Sequence, residues 1–114
     1  MSVDATAETY DQELASTDRP VLVDFWAPWC GYCRALEPVV EQLAADHNLH
    51  LVKVNADEEL AITARYDVQG IPRLLLFRGG QLTGSFLGTG SAKQIARELG
   101  LPAEGDRAAG ASAA

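Results

Sequence analysis

The two cysteines of this 114-residue chain, Cys30 and Cys33, are separated by two residues in the stretch "WCGYC". Residues three positions apart on a helix have Cβ atoms about 5 to 6 Å apart, and a disulfide requires Cα atoms separated by about 4.4 to 6.8 Å. The two thiols can therefore form a disulfide and release it again with little movement of the backbone. This spacing predicts reversible thiol–disulfide chemistry.

The residues after the first cysteine have a helical periodicity. Buried-type side chains recur at Cys33, Leu36, Val40 and Leu43, which places Cys33 in the first turn of a helix and Cys30 just before it. The sulfur of Cys30 then faces backbone N–H groups without helical partners and the positive end of the helix dipole, and both favour the thiolate. We therefore predict that Cys30 is the nucleophile and Cys33 the resolving thiol.

Three other interpretations of the cysteine pair are open. Tetrahedral zinc requires four ligands, and the chain adds only His47 and His50, whose spacing to the cysteines fits no common zinc finger. A purely structural disulfide would close a very short loop and restrict the unfolded chain little. The thiols could also be buried without any redox role. We expect neither a metal nor another cofactor.

The composition favours one globular domain and argues against a nucleic-acid partner. Hydrophobic residues make up 47% of the chain, and its formal net charge of -7 repels polyanions. The start, "MSVDATAETY", lacks the features of a secretory signal, and no apolar run approaches the roughly 18 residues of a membrane span. We expect no membrane association and a cytoplasmic location, where a close cysteine pair is more often reactive than structural.

Strand and helix patterns alternate on both sides of the cysteine pair. The stretch "VLVDFW" (Val21–Trp26) predicts a strand that is covered on both faces and central in its sheet. Further strands are predicted at residues 49–55 and 73–77, the latter followed by a hairpin turning at Gly79 and Gly80. Helices are predicted at residues 5–16, from the cysteines to "HN", at 57–68 and at 91–100.

This order of elements predicts an α/β fold. Strands that alternate with helices imply crossover connections and a parallel core, and the terminal hairpin adds antiparallel strands. The expected architecture is a three-layer α/β/α unit with a mixed sheet between helices. We assign this domain to residues 1–102 and expect the last twelve residues, 103–114, to form a disordered tail because they are small and weakly hydrophobic.

Two separated segments resemble the thioredoxin family. "VLVDFWAPWCGYC" resembles its active-site segment, and "GIPRLLLFRGGQ" resembles its proline segment and the hairpin that follows. The resemblance implies the thioredoxin fold, with about five strands and four helices. It also implies reversible reduction of protein disulfides through a mixed disulfide, in a monomer. The implied partners are client proteins with disulfides and a flavoprotein thioredoxin reductase as electron donor.

The resemblance extends the predicted catalytic set to four residues. Cys30 corresponds to the attacking thiol, Cys33 to the resolving thiol, Asp24 to the buried carboxylate of the family and Lys53 to the lysine near it. Asp24 lies in an otherwise apolar strand, so burial should raise its pKa and allow it to accept the proton of Cys33. The alternative is a buried Asp–Lys pair with a structural role.

The same resemblance predicts a groove for extended substrates. Trp29 and Pro72 correspond to its rim, and family members hold the Ile71–Pro72 peptide bond cis. Ile71, Leu87 and Gly88 fall where the family docks its substrates, although Leu87 could instead belong to the core. The residues between the cysteines complete the predicted substrate-binding set.

Gly31 and Tyr32 lie between the cysteines. Tyr32 is one of two residues that depart from the common family pattern, and Arg73 is the other. Tyr32 replaces the proline of "WCGPC", which restores a backbone N–H that can donate toward the Cys30 thiolate and make the protein more oxidising. Arg73 replaces a common threonine and either brings positive charge near the groove or is an exposed cation without a role. A disulfide reductase is the leading hypothesis; the alternatives are a thiol oxidant or isomerase and a non-catalytic client-binding (holdase) module.

Overall fold

Five strands and four helices lie within residues 2–102, which the computed structural model describes. In chain order they are β1 (Ser2–Asp4), α1 (Tyr10–Ala15), β2 (Val21–Trp26), α2 (Gly31–Asp46), β3 (His50–Asn55), α3 (Leu60–Arg65), β4 (Arg73–Arg78), β5 (Gln81–Leu87) and α4 (Ala92–Glu98). The α/β class and the strand and helix numbers agree with the expected fold. The predicted tail, residues 103–114, lies outside the described residues.

The strands form one mixed sheet in the order β1-β3-β2-β4-β5. Strands β1, β3 and β2 are parallel, and β4 pairs antiparallel with both β2 and β5. The predicted central position of β2 is confirmed, because it lies between β3 and β4 and its first five residues are buried. An almost continuous apolar strand can occupy only a position covered on both faces.

The alternation of side chains along β2 divides the core into two clusters. Leu22 packs with residues of α2 and α4, whereas Val23 and Phe25 pack with residues of α1 and α3. Because successive side chains of a strand point to opposite faces, Asp24 lies on the same face as Leu22, beneath α2. The strand therefore places a carboxylate under the helix that begins at the cysteine pair.

Three elements, β1, α1 and α3, differ from the sequence predictions. Strand β1 was not predicted, because its three residues have no pattern of their own and form a strand by pairing with β3, with Ser2 opposite Leu51. The first helix begins at Tyr10 instead of residue 5. The third helix is also shorter than predicted, because Asn55 first closes a turn by accepting hydrogen bonds from the backbone N–H groups of Glu58 and Glu59.

The last helix begins and ends at the predicted signals. The Ser91 hydroxyl oxygen accepts a hydrogen bond from the backbone N–H of Gln94 at 3.1 Å, which satisfies one free donor at the start of α4. At the other end, Gly100 has a φ of 79°, a conformation that terminates helices at little steric cost. This helix covers the same face of the sheet as α2.

Candidate active site

The cysteine pair spans the start of α2. Cys30 is the N-cap residue, with extended backbone angles (φ −85°, ψ 103°), and Cys33 lies in the first turn. The two residues form a disulfide with their Cα atoms 5.2 Å apart, within the range expected from their spacing. Each residue is only 5% exposed, so solvent reaches little of the disulfide.

The helix start provides a hydrogen bond to the sulfur of Cys30. The backbone N–H of Cys33 donates to Cys30 Sγ at 3.1 Å. The N–H of Tyr32, which was expected to donate, makes no described hydrogen bond to this sulfur in the disulfide form. The Tyr32 side chain is 73% exposed, and the space around Gly31 is open. Both residues thus border the disulfide on its solvent side.

Trp29 forms an exposed rim beside the disulfide. Its side chain is 67% exposed, and its Nε1 donates a hydrogen bond to Asp57 Oδ2 at 2.5 Å. The backbone N–H of Asp57 in turn donates to Asn55 Oδ1 at 3.0 Å, at the end of β3. The indole therefore has a fixed anchor on the neighbouring loop. Asp57 was missed in the sequence, because only the fold brings it to Trp29.

The proline segment lies on the other side of the disulfide. The Ile71–Pro72 bond is cis, in agreement with the expectation from the resemblance, and Ile71 packs against the two cysteines. The N–H of Gly88 donates to the Pro72 carbonyl oxygen at 2.9 Å, and Gly88 has a φ of 100°, which L side chains rarely adopt. Leu87 is 55% exposed, so its assignment to the core is wrong.

A shallow cavity of about 430 Å³ extends from Trp29 to Ile71. Leu60 and Val68 contribute apolar walls, and Leu60 is 68% exposed. The sequence did not indicate Leu60, because an apolar residue at a helix start is usually part of a core. The cavity thus joins the exposed Trp29 to Ile71, which packs against the two cysteines.

Asp24 is the one buried charged side chain among residues 2–102, at 4% exposure. Burial raises the pKa of its carboxyl group from 3.8 to about 6; the positive charge of Lys53 opposes this rise, and the negative charge of Glu37 adds to it. None of the hydrogen bonds among the described residues reaches this carboxylate. A carboxylate of this kind is well suited to accept a proton near neutral pH.

Lys53 is close to Asp24 in the sheet register but forms its ion pair elsewhere. Lys53 Nζ is 3.3 Å from Glu37 Oε1 and 4.7 Å from the centre of the Trp26 ring, and no ion pair joins it to Asp24. Asp24 and Lys53 thus interact through their charges without a direct ion pair, and the choice between a catalytic and a structural role for Asp24 stays a prediction. Glu37, like Asp57 and Leu60, was missed in the sequence, since nothing in its local pattern indicated its partner.

Arg73 lies next to Pro72, but its guanidinium group is directed along the sheet. Its Nη1 donates to Ser85 Oγ on β5 at 2.8 Å, and its Nε is buried without a hydrogen-bond partner. Ser85 pairs with Leu75, two residues farther along β4 than Arg73. Arg73 is therefore a partly buried residue at the start of β4, and not the exposed cation that one of the two alternatives expected.

Neither histidine lies beside the cysteines at the start of α2. His47 follows the end of α2, whereas the cysteines lie at its start; His50 begins β3 and contacts Glu13 Oε1 at 2.9 Å. Within residues 2–102, no group of three or more His, Cys, Asp and Glu side chains is arranged to hold a metal ion. In the same part of the chain, no helix is long and apolar enough to cross a membrane.

Together, a disulfide at a helix start, an adjacent groove and a buried carboxylate define a thiol–disulfide oxidoreductase site. Comparison with known proteins supports this class.

The family model described as "Thioredoxin" matches residues 1–100. The chain is 47% identical over 78 residues to thioredoxin 1 of Nostoc sp., covering 67% of this chain and 73% of that protein. It is 41% identical over 103 residues to thioredoxin 1 of Synechococcus elongatus, covering 87% and 96%.

A thioredoxin of Pseudomonas aeruginosa is 38% identical over 99 residues, covering 85% of this chain and 92% of that protein. The chain belongs to the thioredoxin family. Its activity is that of a thioredoxin-type protein-disulfide oxidoreductase.

Proposed function

We propose that this protein works as a reductase of disulfides in client proteins, through a single domain spanning residues 1–102. The observation that carries the exchange chemistry of this proposal is the placement of Cys30 at the N-cap of α2, where a backbone N–H donates to its sulfur. A sulfur in this position is stabilised as a thiolate, which is the nucleophile of thiol–disulfide exchange. The direction, reduction of the client, is proposed from the resemblance to the thioredoxin family, to which these relatives belong by name.

The proposed reaction has two displacement steps. The Cys30 thiolate attacks one sulfur of the client disulfide, so that a mixed disulfide forms and the other client sulfur leaves as a thiolate. Cys33 then loses its proton and attacks the Cys30 sulfur; the Cys30–Cys33 bond forms and the second client thiolate leaves. The client gains two electrons, and the two cysteines of the protein are oxidised to their disulfide.

Asp24 is proposed to accept the proton of Cys33. Its carboxyl pKa is raised to about 6, so at neutral pH the group is largely ionised and ready to accept a proton. Asp24 lies on the face of β2 beneath α2, and Cys33 is buried in the first turn of that helix. Lys53 is proposed to modulate the charge of Asp24 from the neighbouring strand.

The groove beside the disulfide is proposed to bind the client as an extended segment. Ile71 lines the cavity, Pro72 follows it, and the space that a side chain at Gly88 would occupy is open. Trp29 supplies an aromatic rim. On the solvent side of the disulfide, the pair Gly31 and Tyr32 would contact the client residues next to its cysteine.

The dithiol form must be regenerated by an external donor, for which we propose a flavoprotein thioredoxin reductase. We further propose that the protein acts in the cytoplasm as a monomer, since a reducing compartment maintains the dithiol. Nucleic acid is not a proposed partner, because the net charge of -7 would repel it.

Reduction of insulin with dithiothreitol as electron source tests the proposal. The intact protein should accelerate insulin precipitation, and Cys30→Ser should reduce the rate to that of dithiothreitol alone. Equal rates for the two proteins would contradict catalysis and favour the holdase alternative. Equilibration of the Cys30/Cys33 couple with glutathione then measures the potential; a potential close to that of the strong thiol oxidants, about −120 mV, would favour the oxidant alternative over the reductase.

A further inference from the structure

The feature that the proposed reaction leaves unexplained is the ion pair between Glu37 and Lys53. Glu37 lies on α2 one turn after Cys33, and residues four apart on a helix share a face. Its Oε1 is 3.3 Å from Lys53 Nζ, and the ammonium also lies 4.7 Å from the centre of the Trp26 ring. The Lys53 side chain is only 11% exposed, so its charged end is largely withdrawn from solvent and lies among protein groups.

These contacts determine what surrounds the buried carboxylate of Asp24. Lys53 is its register partner on β3, and Leu74, its register partner on β4, is apolar. From α2, the groups one turn apart on one face that carry or can acquire charge are Cys33 and Glu37. Arg34, between them in sequence, is exposed and donates to the Pro28 carbonyl oxygen at 2.6 Å. The ammonium is 3.3 Å from Glu37 Oε1 and makes no ion pair with Asp24. Because it lies against Glu37 and the Trp26 ring, its positive charge is held to one side of the Asp24 carboxylate.

We propose that Glu37 is a positioning residue for the proton-transfer step: it holds the Lys53 ammonium against Trp26 and away from the Asp24 carboxylate. The inference rests on the proposed role of Asp24 as the acceptor of the Cys33 proton. Without Glu37, Lys53 would be free to approach Asp24 and stabilise its ionised form. A carboxylate neutralised in this way is a weaker base, so proton transfer from Cys33 would be less favourable.

The direction of the effect agrees with the electrostatics of the site. The positive charge of Lys53 lowers the pKa of Asp24, and the negative charge of Glu37 raises it. Replacing Glu37 by Gln removes the negative charge and weakens the hold on Lys53, and both changes lower the pKa of Asp24. An opposite charge that comes close to a carboxylate lowers its pKa by at least about one unit.

The first experiment compares Glu37→Gln with Glu41→Gln. Glu41 lies one turn farther along α2, is exposed and makes no described side-chain contact, so its substitution removes the same charge without touching Lys53. Titration of the Asp24 carboxyl carbon by ¹³C NMR in the oxidised protein should show a pKa lower by about one unit in Glu37→Gln and unchanged in Glu41→Gln. An unchanged pKa in Glu37→Gln, or equal shifts in the two variants, would overturn the inference.

The Glu37→Gln substitution in Lys53→Met protein tests whether Glu37 shifts the pKa of Asp24 by way of Lys53. In Lys53→Met protein the ammonium is gone, so Glu37→Gln should produce less than half of the pKa shift that it produces when Lys53 is present. An equally large shift in the Lys53→Met background would show that Glu37 acts on Asp24 directly, and the positioning role would be refuted.

Activity separates this inference from the proposed function. The acid limb of the pH profile for insulin reduction should move to lower pH in Glu37→Gln by the same amount as the NMR pKa. If the NMR pKa moves and the pH profile does not, the positioning of Lys53 is supported but Asp24 is not the proton acceptor of the reaction. If Asp24→Asn changes the profile and Glu37→Gln changes neither measurement, the proposed function stands and the role of Glu37 is rejected.

Discussion

Replacement of Asp24 by Asn should stabilise the protein in a pH-dependent way. The carboxyl group is 4% exposed, and burial raises its pKa from 3.8 to about 6. The folded protein therefore holds this proton more tightly than the unfolded chain. The resulting stability is fully present below about pH 3.8 and is lost as the pH rises through about 6, where the folded protein must accept a buried charge.

The magnitude follows from the difference between the two pKa values. That difference is about two pH units, and each unit corresponds to about 1.4 kcal/mol, so the ionised carboxylate lowers the free energy of unfolding by about 3 kcal/mol at neutral pH. Asn is uncharged and similar in shape. Asp24→Asn should raise the free energy of unfolding by about 3 kcal/mol near pH 7.5 but only by about 1 kcal/mol near pH 4.5.

Urea denaturation of the oxidised proteins at these two pH values measures the effect. Asp18→Asn serves as the control, because Asp18 is exposed and makes no described side-chain contact; its effect on the free energy of unfolding should be small at both pH values. A gain for Asp24→Asn that does not depend on pH, or no gain near pH 7.5, would refute the conclusion that the carboxylate is destabilised by burial.

The same variant tests the catalytic role of Asp24 separately from its effect on stability. Loss of a general base typically slows a proton-transfer step by about a hundredfold or more. Release of reduced client from a preformed mixed disulfide should therefore slow in Asp24→Asn when followed in a single turnover near neutral pH. An unchanged rate across the range from about pH 6 to 9 would leave Asp24 with a structural role only.

Four further substitutions test other parts of the structure. Cys33→Ser should trap the mixed disulfide between Cys30 and the client, visible as a covalent adduct on non-reducing gels; its absence would contradict the assigned order of attack. Tyr32→Pro removes the backbone N–H at that position, and if this group donates to the thiolate, the potential should become more negative by roughly 20 to 45 mV against glutathione. No shift would show that the N–H of Cys33 suffices. Gly88→Ala places a side chain at a φ of 100° and should lower the free energy of unfolding by about 1 to 2 kcal/mol in urea denaturation. Ser91→Ala removes the cap of α4 and should cost about 1 kcal/mol in the same assay, whereas an unchanged midpoint would exclude a stabilising cap.

The placement of the redox pair was determined by local sequence. The spacing of Cys30 and Cys33 and the helical pattern after them predicted an N-cap and a first-turn cysteine, as the structure shows. The apolar run of β2 predicted its central position for the same reason, since burial on both faces leaves a continuous pattern in the sequence. These patterns can be recognised without knowledge of the fold, because they depend on residues only a few positions apart in the sequence.

The resemblance to the thioredoxin family, and not local pattern, indicated the proline side of the site. Propensity alone favours a trans bond before proline, yet the Ile71–Pro72 bond is cis, and only the fold joins Gly88 to the Pro72 carbonyl. Strand β1 was missed for a related reason. Its three residues become a strand through hydrogen bonds to β3, a partner about fifty positions away in the chain.

The charges around Asp24 were decided by the tertiary structure. The strand pattern indicated a desolvated carboxylate, and the family resemblance implied Lys53 as its neighbour. In the structure the ammonium pairs with Glu37 of α2 and lies over Trp26. A strand pattern shows which side chains are buried; it does not show which of several nearby charges a flexible lysine will contact. That choice depends on distances between elements that only the packing of α2 on the sheet establishes.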